Sequence, residues 1–338
     1  MIRYVHFIVI LFPLFCYGQD FHYTQFDNTI GLNNPACVGN FHGLVKLTSH
    51  YRNQWVGTNS SFRTSLGMVE MNFKKKNRRE EAFLGVGAYF LNDIGGDSRL
   101  GKNTGGISAS GNIPLSKNQW FSGGLNLSFN QQTIDLSNVT FLSQWDGSQL
   151  NNNISSGENN GFNKDFFVDV GLGLSFNFNE STDLAFNSRD YSFSIGACFQ
   201  HLNQPKMNFV SIDQDKLFIK SIFHLKYTIG LSALNLLEFT GAQIFQGPHQ
   251  ETLLGLLIKN KFKERSHFTS LVDDHFFSFG FYFRTTSDIC PMISVDIGPL
   301  KLSVNYDYNI RYKTNQAYKH AFELQLVYLL SKSRTFKF

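Results

Sequence analysis

Charge is scarce in this chain. Asp, Glu, Lys and Arg make up 17% of its 338 residues, against about 25% in an ordinary soluble protein. The formal net charge is only +4, and the one basic run is Lys74-Lys75-Lys76-Asn77-Arg78-Arg79. A nucleic-acid footprint needs clustered stripes of Lys and Arg. A single short run reads as a solvated turn, so no nucleic-acid partner is expected. Proline is rare, and cysteine is rarer. Beyond residue 18 the cysteines are Cys37, Cys198 and Cys290. An odd count gives no disulfide framework, and these gaps match no metal-ligand spacing. Free buried thiols are expected, with no metal and no other cofactor. After residue 18 no apolar run approaches the roughly 20 residues of a membrane-crossing helix. A helical inner-membrane protein is therefore excluded.

What remains is aromatic, glycine-rich and nearly neutral in hydropathy. Phe alone occurs 36 times and Gly 28 times. The first 18 residues read as a secretory signal peptide: Arg3 is the positive start, Val5 to Phe15 is apolar apart from His6, and Gly18 is small. Cleavage is expected before Gln19, leaving one domain over 19–338.

That domain alternates. Phe166, Val168, Val170, Leu172, Leu174, Phe176 and Phe178 form one face of a long strand, and Asp169, Gly171, Gly173, Ser175 and Asn177 most of the other. The same rhythm runs through 121–130, 191–199, 223–231, 277–283, 300–310 and 322–330, and opens at Val45, Leu47 and Tyr51. Period two is the mark of a strand with unlike faces. Many of these segments reach the nine to eleven residues of a membrane-crossing strand, beyond the five or six usual in soluble sheets. Alternation alone leaves open which face turns outward. The leader, the strand length and the aromatic strand ends favour a membrane barrel.

Less regular segments at 62–73, 82–91, 105–115, 236–245, 252–260 and 292–297 bring the expected count to about fourteen strands, an even number that closes without an edge. The expected fold is all-β: an antiparallel transmembrane outer-membrane β-barrel with its strands over 44–330. A barrel of that size is too wide for strand side chains alone to fill. Residues 19–40 are the candidate plug. Long connections at 131–164 and 203–216, and moderate ones at 93–104 and 261–274, are expected to alternate with short turns such as Ile297-Gly298-Pro299-Leu300, the long ones facing outward.

Three motifs in order organise the amino-terminal end. They are Asp20-Phe21-His22-Tyr23-Thr24-Gln25-Phe26, then Asn34-Pro35-Ala36-Cys37-Val38-Gly39, then Tyr51-Arg52-Asn53-Gln54-Trp55. Together they resemble the PorP/SprF family of outer-membrane proteins of the type IX secretion and gliding systems of Bacteroidetes. The resemblance continues at His201-Leu202-Asn203-Gln204-Pro205 and at Val304-Asn305-Tyr306-Asp307-Tyr308. It implies an outer-membrane location and a part in secretion or gliding. Its implied partners are the periplasmic ring of the machinery, or a large secreted adhesin with a C-terminal sorting domain.

The residues singled out follow from these motifs. Asn34, Pro35, Ala36 and Gly39 form the turn of the plug, since a residue before proline is held extended. Tyr51, Arg52, Gln54 and Trp55 close the first strand. Arg52 falls on the polar face and should point inward, pairing with Asp20 or Asp27. Trp55 should sit in an interfacial girdle. Phe141 and Trp145, in the longest connection, are the candidate partner anchors.

Enzymatic readings find little support. Gly85-Val86-Gly87 and Gly171-Leu172-Gly173 lack the third glycine and the strand–turn–helix setting of a nucleotide loop. They read instead as glycines relieving crowding against a plug. Asp273-Asp274-His275 has an acid beside a histidine, but Asp93 and Asp97 are its only conceivable partners across a barrel mouth. A docking protein is expected, and no enzyme. The alternative is a passive channel for hydrophobic solutes like the fatty-acid transporters, whose hatch also holds an Asn-Pro-Ala turn. That function calls for a kinked wall and an apolar pocket under the hatch.

Overall fold

The computed structural model describes residues 22–55, 61–74, 81–96, 98–135, 139–151, 153–157, 164–180, 190–206, 216–263, 274–285, 288–310 and 320–330. The expected leader and cut site, Asp20, Asp97, Asp273 and most of the basic run after Lys74 lie outside them. Fourteen strands form a closed antiparallel barrel. They are β1 (Val45–Gln54), β2 (Phe62–Asn72), β3 (Phe83–Gly95), β4 (Leu100–Ser116), β5 (Gln119–Thr133), β6 (Asp165–Asn179) and β7 (Tyr191–Gln200). Then follow β8 (Lys220–Gly230), β9 (Asn235–Gln246), β10 (His249–Lys263), β11 (His275–Arg284), β12 (Asp288–Ile297), β13 (Leu300–Asn309) and β14 (Ala321–Leu330). Each strand pairs with its neighbours in sequence, and β1 closes on β14 from Val45↔Leu330 to Gln54↔Ala321.

The structure turns the apolar face outward. On β11, Phe277, Phe279, Phe281 and Phe283 are exposed, while Ser278, Tyr282 and Arg284 are buried within. The same division holds on β6, where Phe166, Val168, Leu172 and Leu174 face out and Asp169 and Ser175 face in. A water-soluble barrel buries its large apolar side chains; this one presents them as a belt, which is how a barrel meets lipid.

The chain enters the wall at Val45 and leaves it at Leu330, both at one mouth, here called proximal; the opposite mouth is distal. The long connections at 134–164 and 201–219 both lie at the distal mouth. The expected alternation in length is only partial. The connection at 264–274 is proximal, as is 180–190, while the distal 247–248 turn has two residues. Gly247, at φ +57°, allows so tight a distal hairpin. The expected loop at 93–104 is mostly strand. β3 and β4 continue through it, tied by Asn92 Nδ2 donating to Asn103 Oδ1 at 2.6 Å, and only 96–99 turns.

The distal end of β6 is not strand-paired on both sides. β7 pairs with β6 only from Leu172 onward. Above it the edge of β6 is covered by the turn after β7. The Leu202 N–H donates to the Val170 carbonyl at 3.1 Å. The Asn203 side chain donates to the Val168 carbonyl at 2.6 Å and accepts from the Val170 N–H at 3.3 Å. One carboxamide thus replaces the peptide group of a missing strand residue, which satisfies an edge that would otherwise invite pairing.

The outward belt makes a direct prediction. Leu256 faces out from the middle of β10. Leu256→Arg should cost about 2–4 kcal/mol, the range for a cation near the bilayer midplane, measured by denaturant unfolding in lipid vesicles. An unchanged unfolding midpoint would contradict a lipid-facing β10.

Candidate functional site

The candidate site begins where the amino-terminal segment, residues 22–40, packs on the inner side of the wall. It contains little regular structure: one helical turn at Ile30–Asn33 and a 3-10 turn at Pro35–Cys37. Its backbone polar groups therefore need partners from the wall.

Around residues 22–28 these partners are charged. The Glu323 carboxylate accepts the Thr24 N–H at 2.8 Å and the Gln25 N–H at 3.2 Å. It also faces Arg52 at 3.1 Å and His50 at 3.3 Å. Arg52 bonds the His22 carbonyl and pairs with Asp307 at 3.1 Å. Arg284 pairs with Glu251 at 2.9 Å and donates to Thr24 Oγ1. Asp27 receives Tyr282 Oη–H at 3.2 Å and lies 3.4 Å from Lys226 Nζ, which also meets Glu238 at 3.2 Å. Arg52 thus points inward, but its anions are Asp307 and Glu323 on the wall. Asp27, one of its expected partners, is held elsewhere by Lys226 and Tyr282. A forked guanidinium suits two carboxylates and a carbonyl at once.

Residues 34–39 are held by shape. Asn34 is extended, as its place before Pro35 requires; its Oδ1 accepts the Ala36 N–H at 3.0 Å, and its Nδ2 reaches the Leu174 carbonyl at 3.0 Å. The Val38 carbonyl accepts from Ser110 Oγ at 2.6 Å. Gly39 turns the chain at φ +76°. Gly85 and Gly124 stand where the segment comes closest: a Cβ on Gly85 would run into the Val38 carbonyl, and one on Gly124 into the Pro35 backbone.

Two apolar clusters complete the contact. Phe26, with Ile30 against it, packs among Ala242, Leu253, Leu257, Tyr282, Cys290 and Met292. Tyr23, Leu32 and Val38 pack among Leu66, Met68 and Leu91. Beside Phe26 is a small, partly open recess walled by Tyr23, Phe26, Ile222, Ala242, Ile244 and Leu253, with His22 and Glu251 at its edge. Cys37, Cys198 and Cys290 are free and buried.

The remaining candidates stand at the distal mouth. Tyr51 faces outward. Gln54 is the last residue of β1, between Phe62 and Ala321. Trp55 follows it, its N–H bonded to the His320 carbonyl at 2.7 Å and its ring edge-on to Phe62 at 4.8 Å. Phe141 and Trp145 belong to a tip folded on itself. Gln144 is buried, accepting the Phe141 N–H at 2.9 Å and donating to the Ile154 carbonyl at 2.9 Å, and Trp145 bridges to Leu150. Asp146 turns this tip; the N–H groups of Gln149 and Ser148 and the Ser148 hydroxyl hold its carboxyl below the ordinary value. Phe141 is half-buried, whereas Trp145 is 51% exposed and Leu142 88%. The structure thus separates the two candidate anchors: Phe141 is half-buried where its backbone starts the tip's turn, and Trp145 is presented.

Among the described residues the acid–histidine group does not come together. Asp274 pairs with Lys261 at 3.5 Å at the proximal end, while Asp93 accepts from Thr64 near the distal end. Sequence reading also missed most of the inward charge, namely Glu70, Lys226, Glu238, Glu251, Arg284 and Glu323. The signal was present for Lys226, Arg284 and Glu323, which occupy polar-phase positions of alternating segments, but Glu70 shares the phase of Leu66 and Met68, and Glu251 precedes the less regular stretch at 252–260.

The sequence profile of the family described as type IX secretion system membrane protein PorP/SprF matches residues 15–328. No curated protein sequence matches. Among solved structures, the toluene transporter TbuX of Ralstonia pickettii is similar at 11% identity and a TM-score of 0.47, with 88% of this chain and 91% of that one covered. BamA of Haemophilus ducreyi lacking POTRA domains 1–3 is similar at 10% and 0.44, covering 85% and 70%. Likenesses this distant say nothing about what docks on the barrel or passes through it.

Two outcomes follow from this geometry. Arg52→Ala leaves Glu323 and Asp307 without their shared cation and should destabilise by about 3–5 kcal/mol, the usual cost of breaking a buried pair; Gln25→Ala, which removes one neutral partner of Asn305, should cost about 1 kcal/mol. Equal losses in denaturant titrations would mean that the ionic cluster does not dominate. Gly124→Val should expel the 34–39 turn and make the segment sensitive to protease while β5 stays paired. Unchanged digestion would contradict the close approach.

Proposed function

The chain belongs to the PorP/SprF family of type IX secretion system membrane proteins, and from that premise we propose that it is an outer-membrane docking component without catalytic activity. Residues 19–40 plug the barrel, and its connections hold either the periplasmic ring of the machinery or a secreted adhesin with a C-terminal sorting domain. The family match carries this reading. Two features support it. The inward ionisable groups around residues 22–28 are engaged with each other and with the segment's backbone, which suits a fixed plug better than a reaction centre. The distal tip presents Leu142, Trp145 and Leu150 to solvent, and exposed aromatic anchors of this kind commonly dominate interfaces.

The recess beside Phe26 favours a second reading, a passive channel for hydrophobic solutes. Against it, β8 pairs with β9, and β9 with β10, over their facing lengths, so no gap opens between these three strands.

Three measurements separate these. Loss of the protein should abolish surface display of a secreted partner and leave hydrophobic-solute uptake unchanged; the reverse pattern would support the channel. Deleting 20–33 should leave the barrel inserted and raise its conductance in planar bilayers, and unchanged conductance would count against plugging. Trp145→Ala should weaken partner capture from outer membranes by about 2 kcal/mol, near thirtyfold. Phe141→Ala serves as the control for tip folding. Full recovery of the same partners with Trp145→Ala would show that this tip is not the docking site.

A further inference from the structure

We infer that the amino-terminal segment threads the barrel from mouth to mouth, so that His22 lies by the distal mouth, where the two long connections leave the wall. The inference rests on which ends of the strands the segment touches, and it goes beyond the docking reading.

The contacts of residues 22–24 are distal on five strands. Arg52 lies two residues from the distal end of β1, Glu251 two residues from that of β10, Asp307 two from that of β13 and Glu323 two from that of β14; Arg284 is the last residue of β11. His22 meets Arg52 through its carbonyl and Glu251 through its ring at 3.4 Å. At about 3.3 Å per strand residue, His22 sits within roughly 7 Å of the distal rim along these strands. The other end of the segment is proximal. The Phe41 and Gly43 carbonyls accept from Asn72 Nδ2 at 3.1 and 2.9 Å, and Asn72 is the proximal end of β2. The Leu44 N–H donates to the carbonyl of Leu330, the proximal end of β14.

A plug folded back on itself from the proximal side would keep both its ends at that side. This segment does not return. A partner gripping the segment at His22 from the distal side would be linked through Glu323 and Arg52 to the β1–β14 seam. Through residues 34–39 it would also be linked to the proximal mouth.

The test places one epitope at a time in the full-length protein: directly ahead of His22, within the distal tip at 146–148, or within the proximal turn at 231–234. Antibody is then applied to intact and to permeabilised cells. The epitope ahead of His22 should share the accessibility of the tip and differ from that of the turn. Sharing the side of the turn would overturn the threading. Should the tip and the turn exchange sides, the proposed orientation in the membrane fails, while threading is still decided by which of them the His22 epitope follows. Where the insertion prevents barrel formation, His22→Cys is labelled with a membrane-impermeant maleimide, Cys37, Cys198 and Cys290 being buried. Labelling from the tip side supports threading; labelling only from the turn side, or from neither, overturns it.

Discussion

The structure depends on the pairing of Arg52 with Glu323. These two residues are register partners across β1 and β14, the seam at which the barrel closes. They are also the groups that bind the backbone of residues 22–25. One ion pair therefore serves both closure and the seating of the amino-terminal segment. A buried pair of this kind repays its desolvation only when its remaining hydrogen-bonding capacity is filled. Here the segment supplies two N–H groups and a carbonyl, and His50 and Asp307 supply further partners, although Arg52 Nε–H has none among the described residues. Without the segment the seam would hold an under-satisfied carboxylate, so the wall and the segment stabilise each other.

The inward polar side chains explain why the amino-terminal segment is irregular. A helix there would satisfy its own backbone and leave those side chains unmatched. An irregular chain does the reverse, taking donors and acceptors from the wall. Its two halves solve the problem differently. Residues 22–28 are seated by charge, where Asp307, Glu323, Arg284 and Lys226 converge. Residues 34–39 are seated by closeness, where glycines at 85 and 124 remove the Cβ atoms that would collide. The apolar side chains Tyr23, Phe26, Leu32 and Val38 lie between and among these contacts, so that burial adds to both.

Much of the wall was legible in the sequence because period-two alternation repeats with every strand. All fourteen strands coincide with segments read that way, including irregular ones such as 105–115. What failed was their extent. β4 begins at Leu100 because polar residues at its distal end, such as Asn103, bond across the sheet instead of looping away. The organising turn was legible too, since Asn34 before Pro35 and the glycine at 39 constrain the backbone locally. The partners of Arg52 were not legible. Choosing Asp307 and Glu323 over Asp27 depends on which strands meet at the seam, and periodicity carries no information on that.

The His201-Leu202-Asn203-Gln204-Pro205 motif shows where irregular sequence carries more than alternating sequence. A strand position tolerates many side chains of the right polarity. Asn203 is constrained further. Only a carboxamide both donates to the Val168 carbonyl and accepts from the Val170 N–H with the spacing of a peptide group. An aspartate would lose the donor, and a leucine both bonds. His201, at φ +58°, and Gln204, at φ +41°, hold the backbone in the unusual form that brings the amide there, while His201 is anchored to Asp169 at 2.9 Å. The same logic applies to Asn34, whose amide bridges the 3-10 turn and the wall. At the distal edge of β6 the ladder stops, and the Asn203 carboxamide is the group that replaces it.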